Sequence, residues 1–161
     1  AFRNAARGQF EARDVAPMSQ GTRAHQLAMY VVYESPLVMV SDYPEAYEGQ
    51  PGFEFIEKVP TVWDDTKVLA GEPAKLIVIA RRNGESWYVG AMTNWDARDL
   101  ELPLDFLGTG EYDATAFVDG PDAATVATSL AIAKNTVKAG DKLALKLAPG
   151  GGAAVILTPI R

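Results

Sequence analysis

The side chains able to do chemistry in this chain carry oxygen. Among 161 residues there is no cysteine and one histidine, His25. Thiolate nucleophiles, disulfides and thiolate-bound metals are therefore excluded, and a conventional zinc site is hard to assemble. Three groups of acids stand out: Asp42, beside Tyr43 and just after the apolar run Leu37-Val38-Met39-Val40; Asp64-Asp65, next to Trp63; and Asp119 with Asp122 around Gly120-Pro121. Asp64-Asp65 suggests a calcium or sugar contact, yet adjacent residues on a strand point to opposite faces and cannot chelate together. Asp119 and Asp122 read as an Asx-type turn, because a calcium loop needs several more oxygen ligands at fixed spacing. Trp87 and Trp95 would form a stacking platform only if both faced solvent, and in a small hairpin at least one belongs to the core.

The charge balance narrows the partners. Fifteen Lys and Arg against 21 Asp and Glu give a net charge of -6 and a pI near 4.8, which disfavours a grip on phosphate backbones or anionic lipid. No nucleic acid and no membrane partner is expected, and no run approaches the ~20 apolar residues of a membrane span. The first residues, Ala1-Phe2-Arg3-Asn4, carry no initiator methionine, which suggests processing or excision from something longer.

The elements that must position these groups fall into two parts. Thr22 is placed to cap a helix whose apolar residues Leu27, Tyr30 and Val31 recur at helical spacing, and Ser35-Pro36 ends it. Leu37 to Val40 reads as a short strand buried on both faces, as in a parallel sheet flanked by helices. Pro51 then opens a short helix over Phe53 to Val59, before Pro60. A single buried parallel strand lacks ladder partners for its backbone groups, so this third reads as the cut end of an α/β barrel. From Thr61 the pattern changes to short strands at 75–80, 87–92, 100–104, 112–118, 131–137, 143–147 and 153–157, punctuated by Gly, Pro, Asn and Asp. Asn83-Gly84 is a strong hairpin turn signal, and Lys142 to Leu147 alternates strictly. The predicted fold is an α+β chain whose N-terminal part, residues 1–60, is the end of a (β/α)8 barrel as helix, strand, helix, and whose residues 61–161 form an antiparallel β-sandwich domain.

Three long runs carry a family resemblance: Pro17-Met18-Ser19-Gln20-Gly21-Thr22-Arg23-Ala24-His25-Gln26-Leu27-Ala28-Met29-Tyr30; Val59-Pro60-Thr61-Val62-Trp63-Asp64-Asp65-Thr66; and Trp87-Tyr88-Val89-Gly90-Ala91-Met92-Thr93-Asn94-Trp95. Tyr33 to Leu37 and Leu147 to Gly152 also match. Together they resemble glycoside hydrolase family 97, a group of α-glucosidases and α-galactosidases found mostly in Gram-negative bacteria. The chain departs from the family pattern after Asp119-Gly120, where a longer polar segment is usual.

The resemblance implies a parent with an N-terminal β-sandwich, a central (β/α)8 catalytic barrel and a C-terminal β domain. Ala1 would lie in the loop after the seventh barrel strand, Leu37 to Ser41 would be the eighth strand, and Phe53 to Val59 part of its helix. It further implies a calcium-dependent, periplasmic or secreted enzyme that acts on oligosaccharides. The catalytic carboxylates and calcium ligands would lie upstream, so this chain has no catalytic and no metal residue of its own and supports the barrel.

Asp42 and Tyr43 are the substrate-binding candidates, because barrel active sites gather at the C-terminal ends of strands. The competing reading is that they shape a turn or cap the next helix. His25 reads as a hydrogen-bonded packing residue, and Arg23 as a tie from its helix to an upstream loop through a carboxylate. The alternative function is a carbohydrate-binding or docking module, for which exposed Trp87 or Trp95 would be the mark. An isolated barrel end should expose apolar surface at Leu37 to Val40 and associate with itself.

Overall fold

A computed structural model describes residues 3–40 and 42–161. Its elements in chain order are β1 (Asn4–Ala5), β2 (Ser19–Gln20), α1 (Arg23–Val32), a 3-10 turn over Pro44–Ala46, α2 (Phe53–Ile56), β3 (Asp65–Glu72), β4 (Leu76–Asn83), β5 (Ser86–Thr93), β6 (Arg98–Pro103), β7 (Glu111–Asp119), β8 (Leu130–Lys138), β9 (Lys142–Leu147) and β10 (Gly152–Pro159). Six strands form one antiparallel sheet in the order β3-β4-β5-β10-β7-β8, and β6 with β9 forms a separate ribbon.

The ribbon covers one face of the sheet. Alternation in Lys142 to Leu147 turns Leu143, Leu145 and Leu147 inward while the residues between them stay exposed. With Leu102 of β6 they pack against Val89, Ala91, Val155 and Leu157, all buried. This is the predicted antiparallel sandwich, built with a narrow second layer.

Helix α1 covers the other face. Its Leu27 and Val31 are fully buried, in a cluster with Phe55, Tyr88, Phe117 and Ala154. Each such side chain contributes roughly 1.5–3 kcal/mol relative to exposure. The helix starts where expected, with the Thr22 hydroxyl oxygen accepting from the His25 backbone N–H at 3.1 Å, and ends at Tyr33, whose backbone is already extended. Two glycines let it approach closely. A Cβ on Gly90 would lie 2.9 Å from the Ala28 carbonyl and the Val31 Cβ, and one on Gly152 would lie 2.6 Å from the His25 Cα.

Several expectations need correction. No strand forms over residues 37–40: among the described residues no neighbouring parallel strand offers a ladder, and Leu37 and Met39 are more than 70% exposed (75% and 78%). Ser41 and the expected loop start at Ala1 lie outside the described residues. The helix expected over Phe53 to Val59 is one turn, Phe53–Ile56, although the Val59 N–H still donates to the Phe55 carbonyl at 2.9 Å. Strand β3 was not foreseen. Its Asp, Lys, Gly and Glu residues and its bulge between Val68 and Ala70 belong to a sheet edge, where charge and irregularity block further pairing. The β4–β5 turn is shifted by one residue, since Asn83 pairs with Ser86 in the ladder and Gly84, at φ +58°, is the first loop residue.

Candidate functional site

The strongest cluster of polar chemistry lies where the start of α1 meets the Ala148–Gly152 loop. The Thr22 N–H donates to the Gly150 carbonyl at 2.9 Å, and His25 Nδ1 lies 2.9 Å from the Gly151 carbonyl, which makes that nitrogen the protonated one. Asp119, at the end of β7, accepts from the Ala148 N–H at 2.8 Å and the Gly152 N–H at 3.0 Å through one carboxylate oxygen, and it also bonds the Thr22 side chain. The glycine run is needed sterically, because a Cβ on Gly151 would lie 1.9 Å from that oxygen.

Burial dominates the electrostatics of this cluster. It raises the Asp119 pKa above its ordinary value, against the opposing pull of the Thr22, Ala148 and Gly152 hydrogen bonds and of His25. Burial likewise lowers the His25 pKa, opposed by the Gly151 hydrogen bond and by the Asp119 charge. An imidazole beside a carboxylate resembles part of a catalytic relay, but the Nδ1 proton is committed to a backbone carbonyl and Oδ2 of the carboxylate to two backbone amides. The arrangement fastens α1 to the sheet. His25 also borders a groove of about 570 Å³ between the β3–β4 turn and the end of β5.

The other sequence candidates scatter. Asp42 accepts from the Tyr43 N–H at 3.0 Å, and Tyr43, 64% exposed, precedes the 3-10 turn at Pro44. The Arg23 guanidinium donates to the Pro51 carbonyl at 3.5 Å and to the Gln50 side chain at 3.3 Å, which ties α1 to the segment that follows it in sequence. Asp64 accepts from the Gly84 N–H, whereas Asp65 accepts from the Thr66 N–H, so the two acids serve different parts of the backbone. Asp122 sits in a turn, where its backbone carbonyl accepts from the Thr125 and Val126 N–H groups. Asp119 does not, because it bridges to a loop some 30 residues away (29 and 33). Trp87 is buried in a T-shaped contact with Phe106, and Trp95 is half-buried against Gly150, so the pair forms no common platform. Among the described residues no group of three or more His, Asp or Glu side chains is gathered to hold a metal ion, and the donor set here does not fit a calcium site.

Sequence reasoning missed the hub role of Asp119. The available signal was Gly150-Gly151-Gly152, a stretch of backbone N–H groups without side chains that a nearby carboxylate can serve.

The fold and the cluster thus define an antiparallel β-sandwich domain with a helix docked on one face of its larger sheet. The family model described as "Glycosyl-hydrolase 97 C-terminal, oligomerisation" matches residues 62–158, and the chain belongs to glycoside hydrolase family 97. It is 46% identical to a retaining alpha-galactosidase of Bacteroides thetaiotaomicron over 96% of its length and 24% of that protein's. It is 34% identical to a probable retaining alpha-galactosidase of Streptomyces bingchenggensis over 83% of its length and 20% of that protein's. A family 97 enzyme from a Pseudoalteromonas species, solved in complex with acarbose, superposes with a TM-score of 0.83 at 41% identity, over 88% of this chain and 23% of that one. The chain spans about a quarter of the length of these relatives or less.

Proposed function

We propose that this chain is the C-terminal portion of a secreted or periplasmic glycoside hydrolase that acts on α-galactosides, with α-glucosides as the second substrate class, and that the chain itself is non-catalytic. The observation that carries this reading is the 46% identity to a retaining alpha-galactosidase across 96% of the chain. In this reading the catalytic carboxylates and the calcium ligands belong to the upstream part of the same polypeptide. Residues 1–60 close the (β/α)8 barrel and residues 61–161 brace it.

The geometry suggests how the brace works. One side of α1 is sealed against the sheet, while Met29, Tyr30 and Tyr33 line a groove of about 290 Å³ with Leu37, Val38 and Met39. The exposed apolar residues on that side are the surface we assign to the upstream barrel, and Asp42 and Tyr43 follow them as the residues nearest its substrate. Because the family model's description names oligomerisation, contact between copies of the parent is a second role we assign to the β domain.

The test uses the parent enzyme, the 161-residue chain alone, and the parent lacking residues 61–161. Aryl α-galactoside and aryl α-glucoside should be hydrolysed by the parent with calcium and not by the chain alone, and a chelator should abolish the parent's turnover. Turnover by the isolated chain would refute the assignment. Light scattering of the two parent forms would show whether the β domain holds copies together.

A further inference from the structure

The β4–β5 turn joins a reactive sequence to a set of restraints. Asn83-Gly84 is the dipeptide in which the Gly84 backbone nitrogen most readily attacks the Asn83 side-chain amide, because glycine puts no side chain in the way. Asn83, Gly84 and Glu85 are all exposed, and a Cβ on Gly84 would meet nothing within 4 Å. Water and access are therefore available.

Four bonds hold the turn. The Gly84 N–H donates to Asp64 Oδ2 at 2.7 Å, and Asn83 Nδ2 donates to the Val62 carbonyl at 3.0 Å. The Arg82 guanidinium donates to the Gly84 carbonyl at 2.8 Å, and the Asp64 N–H donates to the Arg82 carbonyl at 2.8 Å. Attack requires the Gly84 nitrogen to lose its proton, and a carboxylate 2.7 Å away opposes the anion that would form. The Val62 bond holds the Asn83 amide, and pairing with Ser86 fixes the Asn83 backbone in the ladder.

We propose that Asn83-Gly84 is a site of spontaneous deamidation kept latent by the Val62–Asp64 segment, so that release of this segment starts an irreversible covalent change. The Gly84 nitrogen bonds to the Asn83 side-chain carbonyl carbon, the bond from that carbon to Nδ2 breaks, and the nitrogen leaves as ammonia after proton transfer through solvent. One water then opens the cyclic imide at either carbonyl, giving an aspartyl or an isoaspartyl linkage. Either product places a new carboxylate beside Asp64, which repels the segment that restrained the turn. The isoaspartyl product also adds a methylene to the backbone and breaks the register of Asn83 with Ser86.

The experiment follows deamidation of the 161-residue chain in mildly alkaline buffer by peptide mapping and mass spectrometry, with released ammonia as an independent readout. The folded wild-type chain should react far more slowly than the same chain unfolded in urea. Asp64→Ala should react roughly tenfold faster than wild type, the scale set by a lost charge-assisted hydrogen bond, while amide protection at Val78 to Ala80 persists. Asp64→Asn, which keeps a neutral acceptor oxygen, should fall between the two. Equal rates for folded and unfolded wild type would overturn the proposal. If Asp64→Ala loses amide protection at Val78 to Ala80, Asp64→Asn decides: a rate no higher than wild type refutes the role of the carboxylate.

Discussion

The two faces of the six-stranded sheet are covered in different ways. On one, β6 and β9 lay down leucines from positions that alternate along each strand, and the contact is apolar side chain against apolar side chain. On the other, α1 comes from more than 30 residues before β3 and lies almost on the backbone of β5 and β10, through Gly90 and Gly152. Its first turn is then fastened by Thr22, His25 and Asp119 to the glycine loop. The ribbon face depends on volume and tolerates repacking, whereas the helix face depends on backbone approach and on a buried polar cluster that fails if one member is wrong.

The strongest way to break this comparison is to make one small side-chain change on each face. Gly152→Ala places a Cβ 2.6 Å from the His25 Cα and 2.7 Å from the Ala91 carbonyl, both main-chain atoms that cannot swing aside. The expected loss is about 3 kcal/mol or more by denaturant unfolding. Leu145→Met, a volume-conserving change on the buried inner side of β9, should cost about 1.5 kcal/mol or less. Similar losses for the two would erase the distinction between the faces.

A pH series sharpens the comparison at the polar cluster. The His25 pKa lies below its ordinary 6.5 in the folded chain, so its stabilising contribution is present above pH 6.5 and is lost as pH falls through the folded value. The Asp119 pKa lies above its ordinary 3.8, so its contribution is present below pH 3.8 and is lost as pH rises through its folded value. His25→Gln should flatten the stability profile just below pH 6.5 and leave the Asp119 portion in place. An unchanged melting profile would show that the imidazole does not sense folding.

The smallest effect is expected at the β3–β4 turn, away from both contacts. Ala74 sits at φ +62°, a left-handed conformation that costs an L-residue roughly 1 kcal/mol. Ala74→Gly should raise stability by about 0.5–1 kcal/mol in a thermal melt. A decrease would mean that the flexibility gained in the unfolded chain outweighs the relief of strain.

Much of this architecture was legible in the residues. Period-two leucines in β9, the Thr22 cap, the stop at Ser35-Pro36 and the turn chemistry near Gly84 are local signals, and each produced its element. Strand β3 was invisible because edge strands select charge and irregularity over alternation. The strand expected over 37–40 was read from apolarity alone, and apolarity cannot supply the neighbouring strand that a ladder requires. Position alone makes Asp42 and Tyr43 candidates, and they stand half-buried and exposed, respectively, just before the 3-10 turn at Pro44, while Asp119, which reads as a local turn residue, is held by a distant loop.

The sequence by itself determined the family, the run of strands after Thr61 and the ends of α1, because these follow from motifs and from forces between near neighbours along the chain. Only the tertiary structure decided that α1 caps the sheet and that Asp119, Thr22, His25 and the glycine loop converge. Those contacts join residues as far apart in the chain as Thr22 and Gly150. They rest on close backbone approach and on hydrogen bonds between groups distant in the chain, and neither leaves a periodic trace in the order of residues.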